Sequence, residues 1–282
     1  MLALLAYVGA QPNGQPAPDL TTVPIPPDSA STGGFRFVLA FAKDDGTGNF
    51  SPGWDPSITP DVVAQLKQNN GSISFWASLG GDANYGGTWT APSDQQAWIS
   101  NATNSLVNLI NTYQLNGLDI DYEAGTDDPT FVSVMSQVLL NVAEQFIGDY
   151  GHSYLDFSYS PFSQTATDYQ NLYQAFASNV FITYQAYDGE YSDVPGYMTL
   201  YSQLAQAYGY GQLGLGICSS TSAPRGLQPP DIYTALSNLQ GQGVQVASIF
   251  CLEDSANNGY PIERTLLSEF AKKGAAPPHR AA

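Results

Sequence analysis

Three carboxylates stand at every second position in the stretch "GLDIDYEAG", residues 117–125: Asp119, Asp121 and Glu123. Leu118, Ile120 and Tyr122 fill the alternate positions, the period-two pattern of a β-strand whose side chains point to opposite faces. Acidic groups about 6 to 7 Å apart on one buried face cannot all ionise, so at least one keeps a proton near neutral pH. A carboxyl that stays protonated there is a general acid. Glu123, last in the row and longest in reach, is the candidate. The competing reading is a half-exposed strand with a solvated acidic face. Gly117 in front of the run, and a long helical pattern before that, favour an interior strand of a parallel sheet buried on both faces.

The elements that must position this row recur along the chain. Eight short β-branched or aromatic runs read as strands: Leu2 to Val8, Phe35 to Ala42, Ser72 to Leu79, Leu118 to Tyr122, Leu155 to Tyr159, Val180 to Tyr184, Gly214 to Cys218 and Val246 to Cys251. Most precede a stretch of helical period. In "SDQQAWISNATNSLVNLINTY" Ser93 is the expected cap, and Trp98, Ala102, Leu106, Leu109 and Ile110 form the apolar stripe. "DPTFVSVMSQVLLNVAEQF" opens on Asp128 as cap with Pro129 at the first helical position, and "PPDIYTALSNLQ" is read in the same manner. Eight strand–helix units over about 250 residues predict a single α/β domain, a (β/α)8 TIM barrel, whose active site lies at the carboxyl ends of its strands. A doubly wound open sheet is the alternative topology. The domain is expected to span residues 1–274, with 275–282 as a tail.

Composition narrows the partners. Twenty-five acidic against eight basic residues give a formal charge of −17, which repels phosphate backbones and anionic lipid surfaces, so neither nucleic acid nor membrane is an expected partner. No apolar run reaches the roughly 18 to 20 residues of a bilayer span, and the start "MLALLAYVG" lacks a cleavage-site pattern and reads as the first strand. Cys218 and Cys251 have no zinc-site spacing, and whether they pair stays open. His152 and His279 fall in a loop and in the tail, giving no support to a histidine triad or metal centre. The loop acids Asp44 and Asp45, and Asp188, Glu190 and Asp193, lack calcium-loop spacing and read as solvated. "GYGQLGLG", residues 209–216, enters a strand where a dinucleotide fingerprint would leave one. No metal or cofactor is implied.

With these residues in view, the sequence resembles the family 18 glycoside hydrolases, the chitinases and chitinase-like proteins. Their fourth-strand signature DxxDxDxE stands here as Asn116, Asp119, Asp121 and Glu123, and their third-strand SxGG as Ser78, Gly80 and Gly81. The likeness runs from "YVGAQ" at Tyr7 to "NNGY" near residue 260 and is greatest to the compact plant branch of bulb chitinases and narbonin, which lacks an inserted α+β subdomain. It implies hydrolysis of β-1,4-linked N-acetylglucosamine polymers by a retaining, substrate-assisted route, the exception to the two-carboxylate scheme. Glu123 would protonate the glycosidic oxygen. Asp121 would orient the acetamide, and Asp119 would hold or share a proton with Asp121. Tyr7, Ser78, Gly80, Gly81, Gln185 and Tyr187 would bind substrate, which would be chitin or a chitooligosaccharide. A monomer, secreted or vacuolar, is expected from the same likeness.

Three positions depart from the family pattern. Asn116 replaces the first Asp of the signature and is expected to remove a buried charge. "TYQAYD" puts Gln185 where related enzymes carry a Tyr that donates to the acetamide carbonyl. "SIFCLEDS" offers Cys251, Leu252 and Glu253 where a Trp normally floors the sugar site, which predicts weakened sugar stacking. Trp54 and Trp89 are read as packing anchors, with outer sugar subsites as the alternative. The alternative function is therefore an inactive chitinase-like protein that binds oligosaccharide, inhibits an enzyme or serves as a storage reserve, or one whose pocket takes another small molecule.

Overall fold

The computed structural model describes residues 2–25, 34–150, 155–189, 191–220 and 225–270. His152, Glu190, His279 and the 275–282 tail fall outside these segments. Eight parallel strands form the staves: β1 (Ala3–Val8), β2 (Phe35–Asp44), β4 (Ile73–Gly81), β5 (Gly117–Tyr122), β6 (Asp156–Tyr159), β7 (Val180–Tyr184), β8 (Leu213–Cys218) and β9 (Val246–Phe250). A short β3 (Phe50–Pro52) pairs antiparallel with the end of β2. The order runs β1-β9-β8-β7-β6-β5-β4-β2, and pairing of β1 with β2 closes the cylinder. The open sheet is thereby excluded. The eight sequence runs coincide with the eight staves to within two residues at each end.

Helices α1 (Pro60–Asn69), α2 (Gln95–Tyr113), α3 (Thr130–Tyr150), α4 (Ala166–Ala175), α5 (Val194–Tyr208) and α6 (Asp231–Gly241) cover the outside. The short α7 (Leu252–Ala256) and α8 (Pro261–Thr265) follow β9. Among the described residues β1 is followed only by single turns at Pro12–Gly14 and Leu20–Thr22. The cap of α2 is Asp94, one residue beyond the expected Ser93, because its carboxylate reaches the Ala97 amide. Asp128 caps the next helix as read, Oδ1 accepting from the Thr130 amide at 2.8 Å. The start of α6 differs from the reading: Pro230 precedes it with no side-chain bond, and Asp231 already lies in its first turn, where its charge suits the helix dipole.

Two apolar layers result from period-two alternation. Leu118, Ile120 and Tyr122 of β5 join the large core between staves and helices, where α2 contributes Trp98, Ala102, Leu106, Leu109 and Ile110. Leu5, Tyr7, Val38, Trp76 and Val246 fill the barrel interior. Gly117 makes room for this filling, since a Cβ there would stand 2.6 Å from the Trp76 ring. Trp76 packs under the Arg36 guanidinium, 4.9 Å from the ring centre. Below the acidic row the cylinder is thus a packed core, and only its carboxyl-end mouth stays open.

Candidate active site

Asp119 is fully buried and points inward. The parallel register places Ser78 of β4 and Ser158 of β6 level with it on the two flanking staves. Their hydroxyls donate to Oδ2 at 2.7 Å and Oδ1 at 2.6 Å. Ser160 adds a bond to Oδ1 at 2.9 Å, and Tyr7 reaches across from β1 to Oδ2 at 2.9 Å. Burial pushes the Asp119 carboxyl above its ordinary range, while the four hydroxyls oppose that by favouring the anion. Four hydroxyls thus surround its two oxygens, the single Ser160 proton being shared with the Tyr7 hydroxyl at 2.8 Å and Thr183 Oγ1 at 2.6 Å.

One level higher, Asp121 is 4% exposed and accepts from Gln185 Nε2 at 2.8 Å through Oδ1. Burial, then the neighbouring charges of Glu123 and Asp119, hold its carboxyl well above the usual range. Glu123 sits at the rim, half-buried. Burial first, with Asp188 and Asp82 adding, lifts it to about 7, against the lowering effects of Gln185 and Arg225. The row therefore combines a caged carboxylate at the bottom with two high-pKa carboxyls above it, the outer one titrating near neutrality. That is the electrostatic profile of a loaded general acid at the rim, above a second carboxyl that also holds a proton readily.

Gln185 is engaged on every side. Beyond Asp121, its amide nitrogen lies 2.9 Å from the Ser160 carbonyl and 3.3 Å from Glu123 Oε1, and its carbonyl oxygen accepts from Tyr187 at 3.0 Å. The structure brings Tyr7, Ser78, Gln185 and Tyr187 into one network with the three carboxylates. Gly80 and Gly81 have φ of +107° and +88°; a Cβ on Gly80 would meet the Tyr122 amide at 2.9 Å, and one on Gly81 the Phe41 ring at 2.8 Å. These glycines let backbone and ring close in beside the mouth.

A cavity of about 260 Å³ opens over the row, bounded by Tyr7, Phe41, Tyr85, Tyr187 and Phe250 among aromatics and by Asp82, Asp121, Glu123, Asp188, Asp254 and Arg225 among charges. Six of these groups, Phe41, Tyr85, Phe250, Asp82, Asp254 and Arg225, escaped the sequence reading, two of them for a definable reason. Phe250 lies within "SIFCLEDS", one residue before the Cys251, Leu252 and Glu253 considered for the floor, and its ring lies 6.0 Å from that of Tyr7. An aromatic ring thus lines the cavity at the end of β9, where the sequence reading expected none. Arg225 comes from the distant β8–α6 connection, pairs with Asp188 and lies 5.4 Å over the Tyr187 ring. Its role depends on a contact 37 residues away in sequence, which no local pattern carries.

Other expectations resolve as follows. Asn116 is exposed at the amino end of β5, where Oδ1 accepts from Lys67 Nζ at 2.9 Å, so no buried charge is lost there. Leu252 and Glu253 lie in α7 instead of the cavity wall. Trp54 and Trp89 are buried in edge-on ring contacts, Trp54 with Tyr113 and Trp89 with Trp98, Tyr122 and Phe131, and so act as packing anchors. Cys218 and Cys251 are free thiols, both buried. Asp44 and Asp45 accept from the amides of Gly46 and Thr47 within their own loop. Among the described residues no cluster of three metal-ligating side chains occurs, and no helix is long and apolar enough to cross a membrane.

The geometry can be set against known proteins. Chitinase 1 of Tulipa saxatilis subsp. bakeri is 30% identical over 258 residues, covering 86% of this chain and 77% of that protein. The RuBisCO-associated protein of Glycine max is 30% identical over 122 residues, 39% of this chain and 43% of that one. Among solved structures, the catalytic domain of a family 18 chitinase from the fern Peteris ryukyuensis superposes with a TM-score of 0.79 at 27% identity, covering 93% and 97% of the two chains. The family 18 chitinase of Crocus vernus shares the fold, with a TM-score of 0.77 at 23% identity over 94% of this chain and all of that one. No family model matches the chain.

Proposed function

The chain belongs to glycoside hydrolase family 18, the family of plant chitinases and chitinase-like proteins, and from that premise we propose that it hydrolyses β-1,4-linked N-acetylglucosamine polymers with retention of configuration. The observation that carries this reading is the row in which Asp121 and Glu123 line the cavity above buried Asp119, with Glu123 raised to about 7 at the rim. Glu123 donates its proton to the glycosidic oxygen as the bond to the anomeric carbon breaks. The acetamido carbonyl oxygen of the same sugar attacks that carbon and closes an oxazolinium ring. Asp121 orients the acetamide, and the negative charge of Asp119 beneath it faces the positive charge that develops. Glu123, now a carboxylate, takes a proton from water as it opens the ring.

Substrate is chitin or a chitooligosaccharide seated on Phe250, Tyr7 and Tyr187, and the protein acts as a monomer in a secreted or vacuolar setting. The test is product analysis from N-acetylglucosamine oligomers across acid to neutral pH. Oligomers of β configuration are expected first, with release abolished by Glu123→Gln; absence of hydrolysis by the intact chain overturns the reading.

A second reading, a chitinase-like protein that binds without turnover, draws on one observation. The Gln185 amide is committed to protein acceptors, so no free donor stands where related enzymes offer a Tyr. Calorimetry with chitotetraose separates the two, since uptake of the sugar without cleavage favours the second.

A further inference from the structure

The charges around the cavity are unevenly placed. Among the described residues Arg225 is the cation on its wall, and Asp188 already neutralises it over the Tyr187 ring. Asp82, just past the end of β4, and Asp254, in the short α7, line the same cavity, and neither has an ion-pair partner among the described residues. Their bonding partners there are neutral. Asp82 accepts from the amides of Asn84 at 2.7 Å and Tyr85 at 3.2 Å, and Asp254 from Gln15 Nε2 at 3.4 Å. Tyr85 belongs to the same corner: burial, then neighbouring charges that include Asp82, Glu253 and Asp254, push its phenol up. Its half-buried ring packs 5.3 Å from that of Phe41, forming a second aromatic wall beside the Tyr7 and Phe250 rings.

An aromatic face takes the apolar side of a sugar ring, and the groups at its edge choose among substituents. Two carboxylates at that edge favour an ammonium group, which gains charge-assisted bonds, over an acetamide, which gains only neutral ones. The hydrolytic route fixes which sugar can carry the amine. The unit whose bond breaks must keep its acetamido group, because the carbonyl oxygen of that group is the attacking atom. A free amine therefore belongs to a neighbouring unit. We propose that Asp82, Tyr85 and Asp254 form a specificity-determining subsite for a sugar unit with a free amine, so that partly de-N-acetylated chitin is taken in preference to the fully acetylated polymer. The remaining cavity acids do not duplicate this corner, since Asp188 is held by Arg225, and Asp121 and Glu123 face the reacting sugar.

The inference rests on the hydrolytic reading for the place of the reacting sugar, and its test reads binding apart from turnover. The probes are the N-acetylglucosamine tetramer and its two isomers that lack the acetyl group on one terminal unit. Calorimetry with Glu123→Gln, at mildly acidic pH where the sugar amine is protonated, measures all three without cleavage. One isomer should bind about three- to fivefold more tightly than the acetylated tetramer at low salt, the size of one partly exposed ion pair. That advantage should fade as salt approaches about 1 M. Adding Asp254→Asn or Asp82→Asn should each cut the ratio of the two affinities by roughly half, and both together should abolish it. Each Asn keeps the acceptor oxygen that holds its loop; should Asp82→Asn fail to fold, Asp254→Asn decides alone. Isomers that bind no more tightly than the acetylated tetramer overturn the proposal. So does an advantage that survives loss of both carboxylates, which would place the attraction on the catalytic row. Cleavage of the acetylated tetramer by the unsubstituted chain with no gain from the amine would remove this inference and leave the hydrolytic reading standing, whereas the gain without any cleavage would do the reverse.

Discussion

The Tyr7 hydroxyl donates to Asp119 Oδ2 at 2.9 Å across the barrel, joining the first stave to the fourth inside the cylinder. It is one of four hydroxyl donors on a carboxylate fully removed from water. Removing one donor in Tyr7→Phe leaves the ring packing intact and raises the cost of the buried charge. We expect a loss of about 1 to 3 kcal/mol in urea denaturation with an unchanged m-value. No change in the midpoint would mean that Asp119 is not held as an anion.

The acidic row also sets how stability depends on pH. Asp119, Asp121, Glu123, Glu253 and Glu263 all have carboxyls raised in the folded state, with burial as the leading cause. A raised carboxyl means that the folded state binds more protons than the unfolded state between the two pKa values, so stability falls as pH rises through that window. For Glu123 the window runs from its ordinary 4.5 to about 7. Wild type should therefore be more stable near pH 4.5 than near pH 7, and Glu123→Gln should flatten part of that slope. The difference between the two proteins is expected to grow by roughly 2 to 3 kcal/mol across the window, read from denaturation midpoints at several pH values. A stability maximum at pH 8 would contradict the raised values.

Activity should follow the same titration from the other side. Since Glu123 acts as the acid, kcat/KM on N-acetylglucosamine oligomers should decline above about pH 7. Glu123→Gln should lose on the order of 10² to 10⁴ in kcat with little change in oligomer binding. Full activity persisting at pH 9 would exclude a carboxyl donor of this kind.

How much of this was legible in the sequence depended on whether the signal was local. The inward row was readable because alternation in "LDIDYE" is a property of six consecutive residues, and the eight staves were readable for the same reason. The serine cage was not. Ser78, named in the sequence only as a substrate residue, and Ser158 become ligands of Asp119 through the register of three strands, and Ser160 joins them from just past the end of β6. Phe250 was missed through a misplacement of one residue at a strand end, where boundaries are least defined. Arg225 and Asp188 meet through a loop contact that sequence spacing does not encode. Asn116 shows the reverse error, since a motif position was assigned burial from its neighbours although it lies outside the amino end of the barrel.

That position offers a direct check on the family signature. Asn116→Asp restores its first acidic residue and sets a carboxylate beside Lys67, whose Nζ already lies 2.9 Å from Oδ1. An exposed ion pair contributes about 0 to 1 kcal/mol, so the thermal midpoint should move little. Because Asn116 bonds Lys67 and the Phe75 amide, and neither lines the cavity, kcat/KM should stay within about twofold of wild type.

Phe250 supports the opposite expectation, because its ring forms part of the cavity wall next to Tyr7. A sugar ring seated there covers apolar surface that Phe250→Ala would remove, and truncating such a contact costs about 1.5 to 3 kcal/mol when it is fully buried. Partial burial at the mouth puts the expected loss nearer tenfold in chitotetraose affinity, measured by calorimetry. Phe250→Trp enlarges the surface offered to the sugar and should recover or exceed wild-type binding if the cavity of about 260 Å³ admits the larger ring. The rise in KM for Phe250→Ala should exceed the fall in kcat, since the ring touches no reacting atom. Equal binding by wild type and Phe250→Ala would move the sugar site away from this wall, and with it the reading that places the scissile bond beside Glu123.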